Sequence, residues 1–128
     1  MNVVDSCGWL EYFADDPNAD FFRGPVEDVD HLVVPTICLF EVFKRTLAQK
    51  DETEAFRAVA QMTTGWVVDL DQDMAVAGVR AGLAHDLRLA DSIILATARA
   101  YGATLWTQDA HFKDIEGVEY IEKRKKKA

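Results

Sequence analysis

Short apolar runs alternate along this chain with longer stretches in which apolar residues recur at helical spacing. This alternation is typical of parallel strands separated by helices, in a sheet that helices cover on both faces. The pattern predicts strands over residues 2–4, 32–34, 65–68, 103–107 and 118–121, the last of them at a sheet edge. It predicts helices over residues 7–13, 18–29, 36–50, 51–63, 90–101 and from Asp71 or Asp73 to His85. The fold class is therefore α/β.

The stretch from residue 90 to residue 109 has the clearest pattern. Its helix is apolar on nearly every side, which indicates a buried helix. Gly102 follows where a helix C-terminus takes a left-handed residue, and the next strand is largely apolar. Asp91 and Asp109 bracket this buried unit, and a buried carboxylate is costly unless something compensates its charge. The two acids therefore suggest a cation site.

Capping and breaking residues mark where several elements begin and end. Ser6, Thr36 and Asp51 stand where a helix N-cap is expected. Gly24-Pro25 is expected to break or kink the second helix, and Pro35 to stop the second strand. Trp66 and Trp106 lie in strands of the buried type, so both are expected in the core.

Length and composition indicate one domain over residues 1–122. The chain has 128 residues, of which 49% are hydrophobic, with no apolar run of 18 or more and no basic-then-apolar leader. Cys7 and Cys38 lack metal-type or disulfide-framework spacing, as in a protein with reduced thiols. These features predict a cytoplasmic protein without a membrane segment.

The charge is divided unevenly along the chain. The net charge is −8, but residues 123–127 are all basic, and without them 9 basic residues stand against 22 acidic ones. A body with this balance repels nucleic acid non-specifically. Residues 123–128 are expected to form a basic, solvated, disordered tail. The alternative is an electrostatic hook for RNA.

Four acids fall where an α/β sheet binds ligands. Asp5 follows the first strand and Asp109 the fourth, while Glu41 and Asp91 lie near helix starts. In open α/β sheets the carboxyl ends of strands and the starts of helices share one edge. Carboxylates converging there repel one another and favour divalent cations, and all-oxygen ligation suits Mg²⁺ or Mn²⁺. Such ions activate water for phosphoryl chemistry. Each acid alone is better explained as a helix cap or a surface residue, so only their joint placement indicates a metal site.

The same residues stand in motifs that resemble those of PIN-domain proteins, specifically the small VapC-like toxins of toxin–antitoxin pairs. The matching stretches are residues 3–6 (VVDS), 34–36 (VPT), 40–42 (FEV), 89–98 (LADSIILATA) and 102–112 (GATLWTQDAHF). The similarity spans residues 2–121. It implies a three-layer α/β/α fold with about five parallel strands, and a Mg²⁺- or Mn²⁺-dependent endoribonuclease.

The resemblance also implies roles for individual residues. Asp5, Glu41, Asp91 and Asp109 become the catalytic, metal-binding quartet. Ser6 and Thr107 become polar residues that orient carboxylates or bind the waters of the metal. Asp114 is a further candidate that shares or replaces the role of Asp109.

The partners implied by the resemblance are an RNA substrate, a cognate antitoxin that holds the toxin inactive, and a second copy in a homodimer. The helix over residues 36–50 has apolar residues on more than one stripe, which is compatible with either protein contact. Two other functions stay open at this point. One is a metal-dependent DNA nuclease with the same acids, and the other is a non-catalytic module that binds metal or RNA.

Outside the quartet, other polar residues are weaker candidates for substrate contact. They are His85, Asp86 and His111, with Arg80, Arg88 and Arg99 as possible phosphate contacts.

Overall fold

A five-stranded parallel sheet forms the centre of the computed structural model, which describes residues 1–126. The spatial order is β3-β2-β1-β4-β5, and every neighbouring pair is parallel. The strands are β1 (Asn2–Val4), β2 (Leu32–Pro35), β3 (Trp66–Val68), β4 (Thr104–Thr107) and β5 (Val118–Tyr120). Helices cover the sheet in a three-layer α/β/α arrangement, so the predicted fold class is confirmed. The edge position predicted for the last strand is also confirmed.

Six α-helices and two single turns of 3₁₀-helix connect the strands within the described residues. The α-helices are α1 (Ser6–Phe13), α2 (Ala19–Glu27), α3 (Thr36–Gln49), α4 (Glu52–Met62), α5 (Gln72–His85) and α6 (Leu89–Ala100). The 3₁₀ turns are Val29–His31 and Ala110–Phe112. Over residues 1–126, none of these helices is both long and apolar enough to cross a membrane.

The core lies where β1, β2 and β4 meet α6. All seven residues from Ser92 to Ala98 are buried, which confirms that this helix is enclosed on nearly every side. Gly102 ends the unit with φ +59°, a left-handed conformation that glycine adopts without strain. The helix therefore ends where β4 must begin, and β4 enters the sheet beside β1.

Two of the predicted helix caps, Ser6 and Thr36, are wrong. Both side chains make other hydrogen bonds instead. Asp5, not Ser6, caps α1, because the Asp5 carboxylate accepts the Ser6 backbone N–H (2.8 Å). Pro35 precedes α3 and remains in β2, opposite Val68. The Thr36 hydroxyl instead accepts the Leu70 N–H (3.3 Å). The caps of α4 and α5 are Asp51 and Asp71, which confirms Asp51 and selects Asp71 over Asp73.

The proline in α2 does not break the helix at Gly24-Pro25 as predicted. Pro25 lies in the last turn, where its missing N–H deprives only the Phe21 carbonyl of a partner. The helix therefore continues to Glu27 and ends two residues earlier than predicted, before the first 3₁₀ turn.

Trp66 is not a core residue, contrary to the sequence prediction. Its side chain is 62% exposed because β3 is the edge strand beyond β2. Its indole N–H donates to the Asp30 carbonyl (3.0 Å), so the polar end of the ring is satisfied at the surface. Trp106, in the interior strand β4, is partly buried and donates to Asn2 Oδ1 (2.9 Å).

The basic C-terminus folds back onto the body of the domain. The Arg124 guanidinium donates to Asn18 Oδ1 (2.7 Å) and to the Pro17 carbonyl (3.0 Å). Lys126 Nζ lies 3.2 Å from Asp16 Oδ1. Residues 122–126 are nonetheless exposed and lie outside helices and strands, so the basic, solvated tail stays a prediction, with Arg124 and Lys126 attached to the body. Residues 127 and 128 lie outside the described residues.

Candidate metal centre

The four predicted acids are brought to the carboxyl edge of the sheet by four different elements. β1 and β4 are neighbours, and the Asp5 N–H donates to the Trp106 carbonyl (3.0 Å), so both strands end together. Asp5 follows β1 directly, and Asp109 lies two residues after β4. Glu41 is the sixth residue of α3, and Asp91 is the third residue of α6. The chain order alone therefore places all four near one edge.

Asp5 is the most buried of these acids, with 4% of its surface exposed. Its Oδ1 caps α1, and its Oδ2 accepts hydrogen bonds from the Thr107 hydroxyl (2.8 Å) and the Cys7 thiol (3.2 Å). Burial raises the pKa of Asp5 to about 6, assisted by the charge of Asp91 and opposed by these hydrogen bonds. The side chain is rigidly placed, and its charged form is costly without a cation.

Ser6 and Thr107 hold the carboxylates in place. The Ser6 hydroxyl donates to Glu41 Oε1 (2.7 Å), which links α1 to α3. The Thr107 hydroxyl donates to Asp5 and accepts the Asp109 N–H (2.9 Å), so it joins the two strand-end acids. These contacts are the ones expected of residues that orient carboxylates.

Asp91, Asp109 and His111 form a cluster at this edge of the sheet. One ligand atom from each of the three side chains lies within 4.8 Å of the other two. Burial and then the Asp109 charge raise the pKa of Asp91, which the Arg88 guanidinium partly counters. His111 Nδ1 lies 2.7 Å from Asp109 Oδ1, whose oxygen also accepts the His111 N–H (2.9 Å). The repulsion between the carboxylates of Asp91 and Asp109 is what a bound cation would relieve.

The donor set fits a divalent cation of the Mg²⁺ or Mn²⁺ type. Asp91 and Asp109 would supply carboxylate oxygens, which lie within 4.8 Å of each other, and Glu41 adds charge to the same site, as its effect on the pKa of Asp91 shows. These are hard oxygen ligands, with one imidazole at the rim. Both Asp91 and Asp109 are partly exposed, so water and a substrate phosphate can reach them.

Other candidates from the sequence lie outside this cluster. Asp114 is exposed, with φ +66°, and is not among the residues close enough to share an ion in the described part of the chain. His85 instead bonds the Arg99 guanidinium (3.2 Å). Arg88 acts on Asp91 electrostatically, so among the three arginine candidates it is the one associated with the site.

Sequence reasoning missed the polar support behind the site. Glu11, on α1, is buried (4% exposed) and accepts hydrogen bonds from Gln108 Nε2 (2.9 Å) and the Asn18 N–H (2.8 Å). Asn18 Nδ2 in turn donates to Gln108 Oε1 (2.9 Å). Since Gln108 precedes Asp109, this network anchors the loop that carries Asp109. A glutamate inside a helix is typical of a surface position, so the local sequence did not indicate that Glu11 is buried.

Several solved structures share the fold. A chain from a toxin–antitoxin complex of Klebsiella pneumoniae superposes with a TM-score of 0.77 at 23% identity, covering 93% of this chain and 96% of that one. The VapC20 toxin of Mycobacterium tuberculosis, described as cleaving the sarcin–ricin loop, gives 0.74 at 16% identity, covering 91% and 95%. A chain of VapBC2 from Rickettsia felis, bound to promoter DNA, gives 0.72 at 14% identity, covering 93% and 97%.

A search of curated proteins finds no match. The family model of the PIN domain, however, matches residues 3–118, a range that includes all four acids. The motifs, the fold and the family model agree over nearly the whole chain. This protein belongs to the PIN-domain family.

Proposed function

We propose that this protein is a metal-dependent endoribonuclease toxin that hydrolyses RNA phosphodiester bonds and is neutralised by a cognate antitoxin. The observation that carries the proposal is the approach of Asp91, Asp109 and His111 within 4.8 Å, beside the buried Asp5. Support for the toxin role comes from fold neighbours that belong to toxin–antitoxin complexes. Support for RNA comes from the neighbour described as cleaving the sarcin–ricin loop.

In this proposal the carboxylates hold Mg²⁺ or Mn²⁺, which activates water and neutralises charge on the phosphate when bound. Neighbouring residues of the chain hold these carboxylates in position. Thr107 fixes the Oδ2 side of Asp5, and Ser6 fixes one oxygen of Glu41. Burial keeps the Cys7 thiol protonated by raising its pKa well above the usual range, so Cys7 remains a donor to Asp5. Asp91 and Asp109 face the accessible side, where the scissile phosphate is expected.

The direct test incubates the purified, antitoxin-free protein with structured and unstructured RNAs in Mn²⁺ or Mg²⁺. We expect internal cleavage of RNA that stops when a chelator removes the metal. The same reactions with single-stranded and duplex DNA separate the proposal from a DNA nuclease. Cleavage of DNA but not RNA would contradict the choice of substrate, and RNA cleavage that continues in chelator would contradict the metal requirement.

Metal binding is measured separately by calorimetry, without RNA. Burial raises the pKa of Asp5 to about 6, and a cation bound beside this carboxyl favours its ionised form. We therefore expect the Mn²⁺ affinity to rise from pH 5 to pH 7.5. Binding with this pH dependence but no turnover would favour the non-catalytic module, whereas no binding at pH 7.5 would refute the proposed centre.

The proposed protein partners have exposed apolar surface available to them. Phe40 on α3 is 62% exposed, and Phe56 on α4 is exposed and packs edge-to-face with Phe43, at 5.0 Å between ring centroids. A helix face of this kind is a candidate contact for the antitoxin or for the second copy of a homodimer. Phe40 and Phe43 belong to the apolar excess noted over residues 36–50, and Phe56 adds an aromatic side chain from α4.

Replacing both Phe40 and Phe56 with serine tests this contact. We expect the mass of the homodimer or of the toxin–antitoxin complex, measured by light scattering, to fall. Val29→Ser, at an exposed apolar residue on the first 3₁₀ turn, is the matched control and should leave both masses unchanged. If the double variant also assembles normally, α3 and α4 do not form the contact.

A further inference from the structure

The folded-back C-terminal segment, residues 121–126, forms one wall of a cleft. It is fastened at three places, by the Asn18 amide to the Glu122 carbonyl (3.1 Å), by Arg124 to Asn18, and by Lys126 to Asp16. The opposite walls come from α1, α3 and α4, and the enclosed volume is about 920 Å³. The docked basic segment therefore completes a cleft whose other walls are helical.

Basic residues dominate this cleft in a protein that is otherwise acidic. Arg45 and Lys50 of the α3 end and Arg57 of α4 line it, together with all four residues 123–126. These are half of the 14 basic residues of the chain, and only three of its 22 acidic residues share the lining. The cleft is thus a local positive surface on a chain of net charge −8.

Several of these basic groups are free to bind a ligand. Arg57 is paired with Glu54 (3.3 Å), and Arg124 and Lys126 fasten the segment itself. Within residues 1–126, Arg45, Lys50, Lys123 and Lys125 form no salt bridge. Like charges held together without acidic partners repel one another, and a polyanion in the cleft relieves that repulsion.

The cleft borders the candidate metal centre, although none of the four acids is among its lining residues. Cys7 lines it, and the Cys7 thiol donates to Asp5 Oδ2 (3.2 Å). Gln108 also lines it and precedes Asp109 in the chain. A polyanion lying in the cleft would therefore pass beside two residues that adjoin the site, one hydrogen-bonded to Asp5 and one next to Asp109 in the chain. The excess of basic lining residues together with this nearness to the carboxylates favours a nucleic-acid strand over an acidic protein segment, which has no need of a metal.

We propose that this basic cleft binds the phosphate backbone of the RNA strand and guides it to the metal centre. The proposal rests on the proposed ribonuclease function and adds where the substrate lies. Phosphate contacts from lysine and arginine position a strand without reading its sequence, and the lining contains a single aromatic residue, Phe13. The cleft therefore supplies sequence-independent affinity.

The test removes three unpaired charges with R45Q/K50Q/K123Q and measures RNA binding without turnover. Single-stranded RNA is titrated in chelator at several salt concentrations. Each phosphate contact contributes roughly 0.7 to the slope of log K against log salt for a single strand. We expect the slope to become shallower by about 2 and the affinity at 0.1 M salt to fall by roughly 10–100-fold.

The matched control is K44Q/R80Q/R99Q, which removes the same number of charges from residues that do not line the cleft. We expect its salt slope to equal that of the wild type, and all three proteins should have the same far-ultraviolet circular dichroism. Equal slopes for the two triple variants would overturn the proposal, since net charge would then explain any loss.

A polyglutamate peptide serves as the probe for an acidic protein segment. If R45Q/K50Q/K123Q loses polyglutamate but binds RNA as tightly as the wild type, the cleft is a protein site and the proposal is overturned. Because binding is measured in chelator, this result is independent of whether the protein cleaves RNA. Loss of RNA binding in this variant would support the proposed role of the cleft. If the wild type binds RNA but does not cleave it, only the proposed activity is refuted.

Discussion

Asp91→Asn lowers the rate of metal-dependent RNA cleavage by at least about 100-fold. The amide keeps the shape of the side chain but removes one of the two carboxylates that, with His111, lie within 4.8 Å. Metal ions contribute several kcal/mol of transition-state stabilisation, and each 1.4 kcal/mol is a factor of ten in rate. The measurement is the cleavage rate in saturating Mn²⁺.

The same substitution is expected to stabilise the metal-free protein, which separates lost chemistry from misfolding. Burial and the Asp109 charge raise the pKa of Asp91, so its ionised form costs stability at neutral pH. The cost is present above the folded pKa and absent below the ordinary value of 3.8. We therefore expect Asp91→Asn to raise the thermal midpoint at pH 7.5, and the gain to vanish near pH 4.

Asp86→Asn is the matched control for Asp91. Asp86 is exposed and has φ +54°, a left-handed conformation that asparagine tolerates well. It should leave the cleavage rate and the midpoint unchanged. If Asp91→Asn cleaves RNA at the wild-type rate, or if both variants lose activity equally, the candidate metal centre is misplaced.

Gly8→Ala lowers the free energy of unfolding by about 2 kcal/mol and the thermal midpoint by about 8 °C. A Cβ at Gly8 would lie 2.6 Å from two ring carbons of Phe22 and 2.8 Å from Val4 Cγ1. Both neighbours are fully buried, so neither can move into solvent. This contact lets α1 approach β1 closely, and α1 carries Ser6 and Cys7 beside Asp5.

The control for Gly8 is Gly78→Ala, also within a helix. A Cβ at Gly78 meets Ile93 Cγ1 at 3.4 Å, an ordinary contact. Alanine is the better helix former by about 1 kcal/mol, so we expect an unchanged or higher midpoint in thermal denaturation. An equal loss at both positions would show that the close packing of α1 on β1 and α2 is not what constrains Gly8.

Features that follow from hydrophobic pattern and chain order were predictable from the sequence. α6 is apolar on nearly every side, and a strand and a left-handed glycine follow it, so local pattern was sufficient to place Asp91 and Asp109. Asp5 and Glu41 followed from the rule that strand ends and helix starts share an edge of the sheet. Which acids hold a metal stays a prediction, because the experiments above have to test it.

Features that depend on distant contacts were not predictable in the same way. Ser6 looked like a cap, but Asp5 takes that role because Glu41, 35 residues away from Ser6, accepts the Ser6 hydroxyl. Trp66 looked like a core residue, but strand order placed β3 at the edge. Strand order is decided by packing of whole helices on the sheet, not by the composition of one strand.

By itself, then, the sequence determined the α/β fold class, the buried helix α6 and the edge at which the four acids gather, because hydrophobic period and chain order encode all three. Only the tertiary structure decided that His111 joins Asp91 and Asp109, that Glu11 is buried behind them, and that the basic C-terminus docks. The last two depend on hydrogen bonds between residues about 100 positions apart in the chain, and the first on the approach of Asp91 to a loop that begins 18 residues later, for which no local pattern exists.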